Sequence, residues 1–169
     1  AARADVHRRR SDADAVVAGI GTLLADDPAL TARRPDGSLY AAQPLPVVVG
    51  RRSVPEDAAV RRHPRPLLRH DGTDLSELLG TLRDLGVQRV FVEGGPTLAS
   101  AFLRDGLADE VLAYIAPTLI GGPRLAVGDV GVETIAAQRR LDVASVDRIG
   151  DDLLIVARPK TETTEEETR

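Results

Sequence analysis

Apolar residues occur along this chain in two alternating patterns. Ala15 to Ala18 (AVVA), Val47 to Val49 and Arg89 to Val92 (RVFV) are short, largely β-branched runs that read as buried strands. Leu75, Leu78, Leu79, Leu82 and Leu85 instead recur at helical spacing. Thr73 or Asp74 supplies the cap of that helix and Gly86 its C-terminal stop. A second helix is predicted from Thr97 to Arg104, with Pro96 at a first position where a missing N–H costs nothing. Between these lie weaker signals. Ala1 to Ala15 is helix-prone and rich in arginine, and reads as a solvated amphipathic helix. A short helix ends before Pro28, because proline disfavours helix in the residue preceding it. Pro35 to Pro46 is a Pro/Gly-rich loop, Val54 to Arg65 is irregular, and Pro66 to Arg69 is a further short strand. Asp109 to Ala116 is strand-like, and Pro117 to Pro123 is a turn-rich loop. Leu141 to Ile149 and Asp152 to Ala157 form a hairpin turning at Gly150-Asp151. The expected architecture is a three-layer α/β fold: one mixed, mostly parallel sheet with an antiparallel C-terminal edge.

Composition narrows the function classes. A chain of 169 residues, 43% of them hydrophobic, builds one domain with a sizeable core, here over residues 1–158. Aromatic residues make up 2%, so stacking on rings cannot dominate binding to nucleic acid. A formal net charge of −4 argues against a general polyanion binder. The last ten residues, KTETTEEETR, are acidic, and residues 159–169 read as a disordered tail. No apolar run is long enough for a membrane span. With no cysteine, thiolate metal sites are excluded and a reducing, cytoplasmic setting is expected. His7, His63 and His70 lack ligand spacing and read as surface or loop residues, so no metal site is expected.

Chemistry concentrates where strands end in glycine or arginine. Arg89 to Val92 runs through Glu93 into Gly94-Gly95-Pro96 and a helix. Glycines there admit a phosphate to the backbone, and the first helical turn offers N–H groups and a favourable dipole. A plain strand-to-helix turn fits the glycine pair equally well. Glu93 favours a site, because a carboxylate at the carboxyl end of a buried strand lies where open α/β sheets bind ligands. Gly19 to Thr22 is a second such junction, and Gly50-Arg51-Arg52-Ser53 follows a third strand. If the three strands are neighbours, two junctions clamp a pyrophosphate and the arginines hold a separate phosphate, the charge pattern of NADPH. On spacing alone, three ordinary connections and a solvated arginine pair remain open. Arg10, Arg33, Asp26 and Glu93 are the remaining candidates, with guanidiniums for an anionic substrate and a carboxylate to accept from a ring N–H or hydroxyl. No nucleophile–histidine–acid arrangement is visible.

ARADVHRRRSDADAVVAGIGTLLADDPALTAR, FVEGGPTLASAFL, DEVLAYIAPTLIGG and DDLLIVAR, in this order, resemble the reductase domain of the bifunctional riboflavin-biosynthesis deaminase/reductase, which has a dihydrofolate-reductase-like fold. The resemblance covers most of residues 2–158. It implies NADPH-dependent reduction of the ribosyl group of 5-amino-6-(5-phosphoribosylamino)uracil to ribityl. By matching motif it assigns NADPH to Thr22, Asp26 and the backbone of Gly95, Pro96, Thr97, Leu98, Ala99, Ser100 and Ala101. Arg51 falls near the 2′-phosphate position, where the family usually has serine. Arg10, Leu30, Arg33 and Glu93 fall on substrate positions, with Arg10 and Arg33 expected to hold the substrate phosphate and Glu93 to orient the ribose or the aminouracil. The resemblance also suggests a cis Gly94–Gly95 peptide. Two departures stand out: the family's N-terminal strand and its Ser- and Trp-bearing loop do not precede the first helix within this sequence, and neither does the zinc deaminase domain, so a deaminase domain fused upstream of Ala1 stays open as a partner. The expectation is a chain lacking one central strand, weakly active or inactive alone. A homodimer is the expected assembly, with DEVLAYIAPTLI and the closing hairpin as its edge or as core. The alternatives are a related aminopyrimidine-ribotide or pterin reductase, and a non-catalytic nucleotide-binding regulator.

Overall fold

Val16, Val17, Val47 and Val48 are completely buried, and successive residues along their strands face opposite sides of one sheet. The computed structural model that shows this describes residues 1–121 and 125–160. The chain divides into two compact units, one built on Arg3–Leu107 with Gly121–Val130, the other on Ala108–Ile120 with the segment from Gly131.

The first unit contains α1 (Ala2–Asp12), β1 (Ala15–Gly19), α2 (Ile20–Asp26), β2 (Leu45–Val49), β3 (Leu68–His70), α3 (Leu75–Asp84), β4 (Val90–Val92) and α4 (Pro96–Arg104). Its strands are all parallel, in the order β3-β2-β1-β4. One face carries Ala15, Val17, Val47 and Val49 against leucines of α3 and Leu98 and Phe102 of α4. The opposite face carries Val16, Ala18 and Val48 against Ile20 and Leu23 of α2 and Val54, Ala58 and Val60. Helices thus cover both faces, as buried parallel strands require. The segment from Val54 to Arg65 is less irregular than its sequence suggests. A 3-10 turn spans Ala59–Arg62 and seals the second core with Val60.

Caps act as the sequence predicts. Asp74 accepts from the N–H groups of Ser76 and Glu77 at 2.8 and 3.0 Å. Gly86, at φ 82°, ends α3 in a Schellman motif, with Gly86 N–H donating to Arg83 O and Val87 N–H to Leu82 O. α1 is shorter than Ala1 to Ala15 and buries no residue. It carries no apolar stripe, and polar contacts from His7 and Arg10 dock it instead.

The second unit holds β5 (Val111–Ile115), β6 (Leu141–Ile149) and β7 (Asp152–Pro159), an antiparallel sheet in the order β5-β7-β6. Parallel and antiparallel strands are therefore both present, but in two hydrogen-bonded sheets rather than one mixed sheet. β4 is three residues long and pairs only with β1 among the described strands, whereas β5 pairs along its length with β7. β7 extends through Pro159, and Lys160 N–H donates to Arg140 O at 2.9 Å. Residues 161–169 of the expected acidic tail and residues 122–124 of the expected Pro117–Pro123 loop lie outside the described residues. Among the described residues, no helix is long and apolar enough to cross a membrane, and no cluster could hold a metal ion.

Candidate functional site

β1 is followed outward by β2 and β3 on one side, and the chain then returns to place β4 on β1's other side. Neighbouring connections therefore leave in opposite directions at the carboxyl ends of β1 and β4. That is the switch point at which open α/β sheets form a crevice. A cleft of about 400 Å³ opens there, with Ala18, Thr22, Asp26, Leu30, Glu93 and Gly95 in its wall.

Thr22, in the first turn of α2, faces the turn before α4. Its Oγ1 accepts the Gly95 N–H at 3.1 Å across 73 residues of sequence. The two glycine junctions therefore meet. The Gly94–Gly95 bond is trans, since no cis peptide occurs among the described residues, and this corrects the cis expectation. A trans unit already directs the Gly95 N–H at the threonine.

The glycines of the pair differ. A Cβ on Gly94 would lie 3.0 and 3.1 Å from Leu98 Cβ and Cδ2, so Gly94 is needed for close packing. A Cβ on Gly95 would meet Thr22 Oγ1 at 3.6 Å, an ordinary contact. Nothing in the chain demands glycine there, and a side chain would project toward Thr22 beside the cleft.

Of the stretch Gly95 to Ala101, only the beginning presents backbone donors. Pro96 has no N–H, and Ala99 N–H already closes onto Gly95 O at 3.3 Å. Ser100 and Ala101 follow inside the helical ladder. The first turn thus leaves Thr97 and Leu98 as donors. Leu98 and Ser100 turn their side chains inward, and Ser100 Oγ accepts Gly128 N–H at 2.7 Å.

Arg51 lies elsewhere on the same carboxyl edge. It is exposed, and its Nη2 donates to Thr73 Oγ1 at 3.3 Å. With Gly50, Arg69, His70 and Asp71 it lines a separate cleft of about 310 Å³. Arg69 Nη2 donates to the carbonyls of Gly50 and Arg52, both at 2.8 Å, and so fixes the backbone bearing the arginine pair.

Arg10 and Glu93 come together from opposite ends of the unit. Arg10 Nε and Nη2 donate to the two Glu93 oxygens, each at 2.6 Å, and Arg10 Nη1 donates to Thr31 O at 2.9 Å. The pair is half-buried, with side chains 13% and 22% exposed. Glu93 is anchored from below, because its N–H donates to Val17 O at 2.8 Å and prolongs the β1–β4 ladder. Three of the five Arg10 N–H groups are thus used within the protein, which leaves one on each Nη nitrogen for a ligand.

Leu30 is 1% exposed and has φ 55°, a left-handed conformation that strains a residue with a Cβ. Gln43 steadies the turn after it, accepting Ala32 N–H at 2.9 Å and donating to Ala32 O at 2.8 Å. Arg33 projects from this turn into solvent, with Nε donating to Thr31 Oγ1 at 3.0 Å. Asp26, the exposed last residue of α2, completes the cleft rim.

Of the histidines read as surface or loop residues, His7 is half-buried on α1, and His63 lies in a loop but is buried. His7 Nδ1 is within 3.2 Å of Thr31 O and 3.3 Å of Arg33 N, and burial followed by the Arg10 charge holds its pKa below 6.5. His63 is buried, its Nε2 has no hydrogen-bond partner among the described residues, and burial lowers its pKa against the raising effect of the Arg65 and Leu30 backbone. His7 was recoverable, since it precedes Arg10 by three residues and so shares its helix face. His63 and Gln43 give no local signal.

Comparison with known proteins bears on this arrangement. The riboflavin biosynthesis protein RibD of Mycobacterium tuberculosis is 51% identical over 155 residues, covering 92% of this chain and 45% of the relative. The chain thus spans about half the length of that relative. A 2,5-diamino-6-ribosylamino-4(3H)-pyrimidinone 5′-phosphate reductase from Methanothermobacter thermautotrophicus is 34% identical, covering 89% of this chain and 82% of the relative. Among solved structures, Acinetobacter baumannii RibD superposes with a TM-score of 0.81 at 31% identity, covering 94% of this chain and 50% of that one. The RibD C-terminal domain is the family whose model matches residues 1–155, and the chain belongs to it.

Proposed function

We propose that this chain reduces the ribosyl side chain of 5-amino-6-(5-phosphoribosylamino)uracil to ribityl with NADPH. The observation that carries the reading is the meeting of the two glycine junctions, through Thr22 and Gly95, at the switch point beside Glu93. The donor set fits a dinucleotide. The cleft that Gly95 lines and the N–H groups of Thr97 and Leu98 suit a pyrophosphate, with Thr22 and Asp26 also in its wall. Arg51, beside Arg69 and His70, suits the 2′-phosphate. NADPH supplies the hydride. The protein's task is to hold the acceptor carbon of the sugar at reacting distance and keep water away. Leu30 and Ala18 give the cleft an apolar wall, Glu93 accepts from substrate hydroxyl or amino groups, and Arg33 meets the phosphate. Loss of 340-nm absorbance on mixing chain, NADPH and ribotide tests the reading. NADPH binding without consumption would instead identify a nucleotide-binding regulator.

One observation favours a second substrate. The reductase relative of which this chain covers 82% is named for a diaminopyrimidinone ribotide that keeps its second amino group. Running both ribotides side by side decides between them by kcat/KM.

A further inference from the structure

We infer that Asp27 is a positioning residue: bonded to the 3-10 turn at Ala59, it anchors the upstream end of the strained segment that gives the cleft its apolar wall. The inference rests on the reductase reading for its kinetic test, but not for its geometry.

Residues alternate along this segment. Asp26, Pro28 and Leu30 are in the wall of the cleft, whereas Asp27, between the first two, is not. Its Oδ1 instead accepts the Ala59 N–H at 2.8 Å, across 32 residues of sequence. Ala59 opens the 3-10 turn, where an N–H has no partner within the turn itself. The residues beside it reach the same segment by another route, since Ala58 and Val60 belong to the core that buries Leu30. One short turn thus secures the segment twice, by a hydrogen bond at Asp27 and by a shared core at Leu30.

Both ends need holding. Asp27 has φ 42° and Leu30 has φ 55°, so two residues with a Cβ are left-handed in one short stretch. Such conformations persist only where their surroundings enforce them. α2 uses the first as its stop, with the Asp27 N–H donating to Leu23 O at 3.0 Å. Beyond Leu30, Arg10, Gln43 and His7 bond to Thr31, Ala32 and Arg33. Before it, the Asp27–Ala59 bond is the corresponding side-chain tie. Breaking that tie frees the wall to relax without altering any group that lines the cleft.

The residue types permit a sharp test. Aspartate and asparagine tolerate left-handed backbone better than other residues with a Cβ, and asparagine keeps an acceptor oxygen. Glycine has the easier backbone but no acceptor. The bond can also be broken from its other end. Ala58 has ψ 137°, which suits a residue before proline, and a 3-10 residue has a φ close to that of proline. A59P therefore fits the backbone while removing the donor.

D27N, D27G and A59P are compared with the unaltered chain, first by hydrogen exchange of the free protein. D27G and A59P are expected to speed exchange over Ala29 to Arg33 by more than about threefold, and D27N by less. The second measurement sets the KM for the ribotide beside the dissociation constant for NADPH. D27G and A59P are expected to raise that KM by more than about threefold and to leave NADPH binding within that factor, because Thr22 and Asp26 lie on α2 ahead of the tie. The double variant is expected to be no worse than the more severe single one, since both remove the same bond. Exchange that stays slow in either D27G or A59P, equal effects of D27N and D27G, or NADPH binding that weakens as far as the ribotide KM rises would overturn the inference. A59P decides the matter if D27G fails to fold. If the unaltered chain consumes no NADPH with the ribotide, the reductase reading fails and the exchange measurement alone judges Asp27.

Discussion

Replacing Gly95 with alanine adds one methyl group at the N-cap of α4. Its backbone, at φ −64° and ψ 173°, is accessible to any L residue, so no strain follows. The new Cβ would sit 3.6 Å from Thr22 Oγ1, within ordinary contact distance. Alanine is a poorer N-cap than glycine by several tenths of a kcal/mol, and the stiffer unfolded chain returns about 0.4–1 kcal/mol. The two nearly cancel, and stability is expected to stay within about 0.5 kcal/mol of the parent. The methyl nevertheless narrows the cleft between Gly95 and Thr22, where the proposed pyrophosphate would approach the helix start. NADPH affinity is expected to fall at least about tenfold, equivalent to ~1.4 kcal/mol. Gly94→Ala provides the contrast. Its Cβ would lie 3.0 Å from Leu98 Cβ, and Leu98 is a buried core residue, so overpacking is expected to cost about 1–3 kcal/mol. Urea midpoints report the stability term, and quenching or enhancement of NADPH fluorescence reports binding. A Gly95→Ala protein that binds NADPH like the parent would remove the cofactor from this junction. One that loses as much stability as Gly94→Ala would show that Gly95 is there for packing.

Other expectations follow from the same geometry. Thr22→Val removes the acceptor of the Gly95 N–H and should cost about 1–2 kcal/mol by urea denaturation, while Thr22→Ser should retain most of the parental stability; equal losses would rule out the hydroxyl as the link. Arg51→Ala should weaken NADPH by about tenfold and NADH much less, so an equal loss in titrations of both would detach Arg51 from the 2′-phosphate. Asp74→Ala should lower stability by about 1 kcal/mol, because two N–H groups at the start of α3 lose their acceptor; an unchanged thermal midpoint would count against the cap. His7 and His63 both have folded pKa values below 6.5, so the unfolded chain binds more protons. Their contribution is complete above pH 6.5 and is lost as pH falls through the folded values. His63→Gln should flatten that part of a stability-versus-pH curve, and a parallel curve would exclude His63 as its source.

Much of the first unit could be read directly from local pattern, because local physics determines it. The AVVA and VVV runs are strands buried on both faces, and Val90–Val92 of RVFV is a half-buried strand of the same branched, apolar character. The leucine series of α3, with Asp74 before it and Gly86 after, specifies helix, start and stop together. What pattern could not supply was pairing. β5 has the same apolar look as the parallel strands, yet its partner is β7 of the closing hairpin. Nothing within DEVLAYIAPTLI indicates whether it joins the first sheet or a second. Likewise Val54, Ala58 and Val60 lie in a segment without periodicity, and only their place against β1 and β2 makes them core.

The site divides along the same line. A glycine, a proline and a threonine at fixed offsets are short-range chemistry, and the junctions at Gly19 to Thr22 and Gly94 to Thr97 were legible as such. The strand order then dictates that they meet, because β1 and β4 are neighbours and parallel strands end on one edge. Arg10 and Glu93 show the limit of this reasoning. An arginine on an exposed helix and a carboxylate at a strand end carry no mark of each other across 83 residues. Motif matching assigns both to substrate, which is a statement about position and not about valence. Only geometry reveals that the guanidinium and the carboxylate pair with each other, and that Arg10 keeps one N–H on each Nη nitrogen beside that pair. The strained Leu30 makes the same point, since a left-handed leucine is invisible in sequence. Such a conformation persists only where its surroundings enforce it, and here Arg10, Gln43 and His7 bond in turn to Thr31, Ala32 and Arg33, the three residues that follow. The polar network around that turn is therefore the structural reason why Arg33 stands where it does.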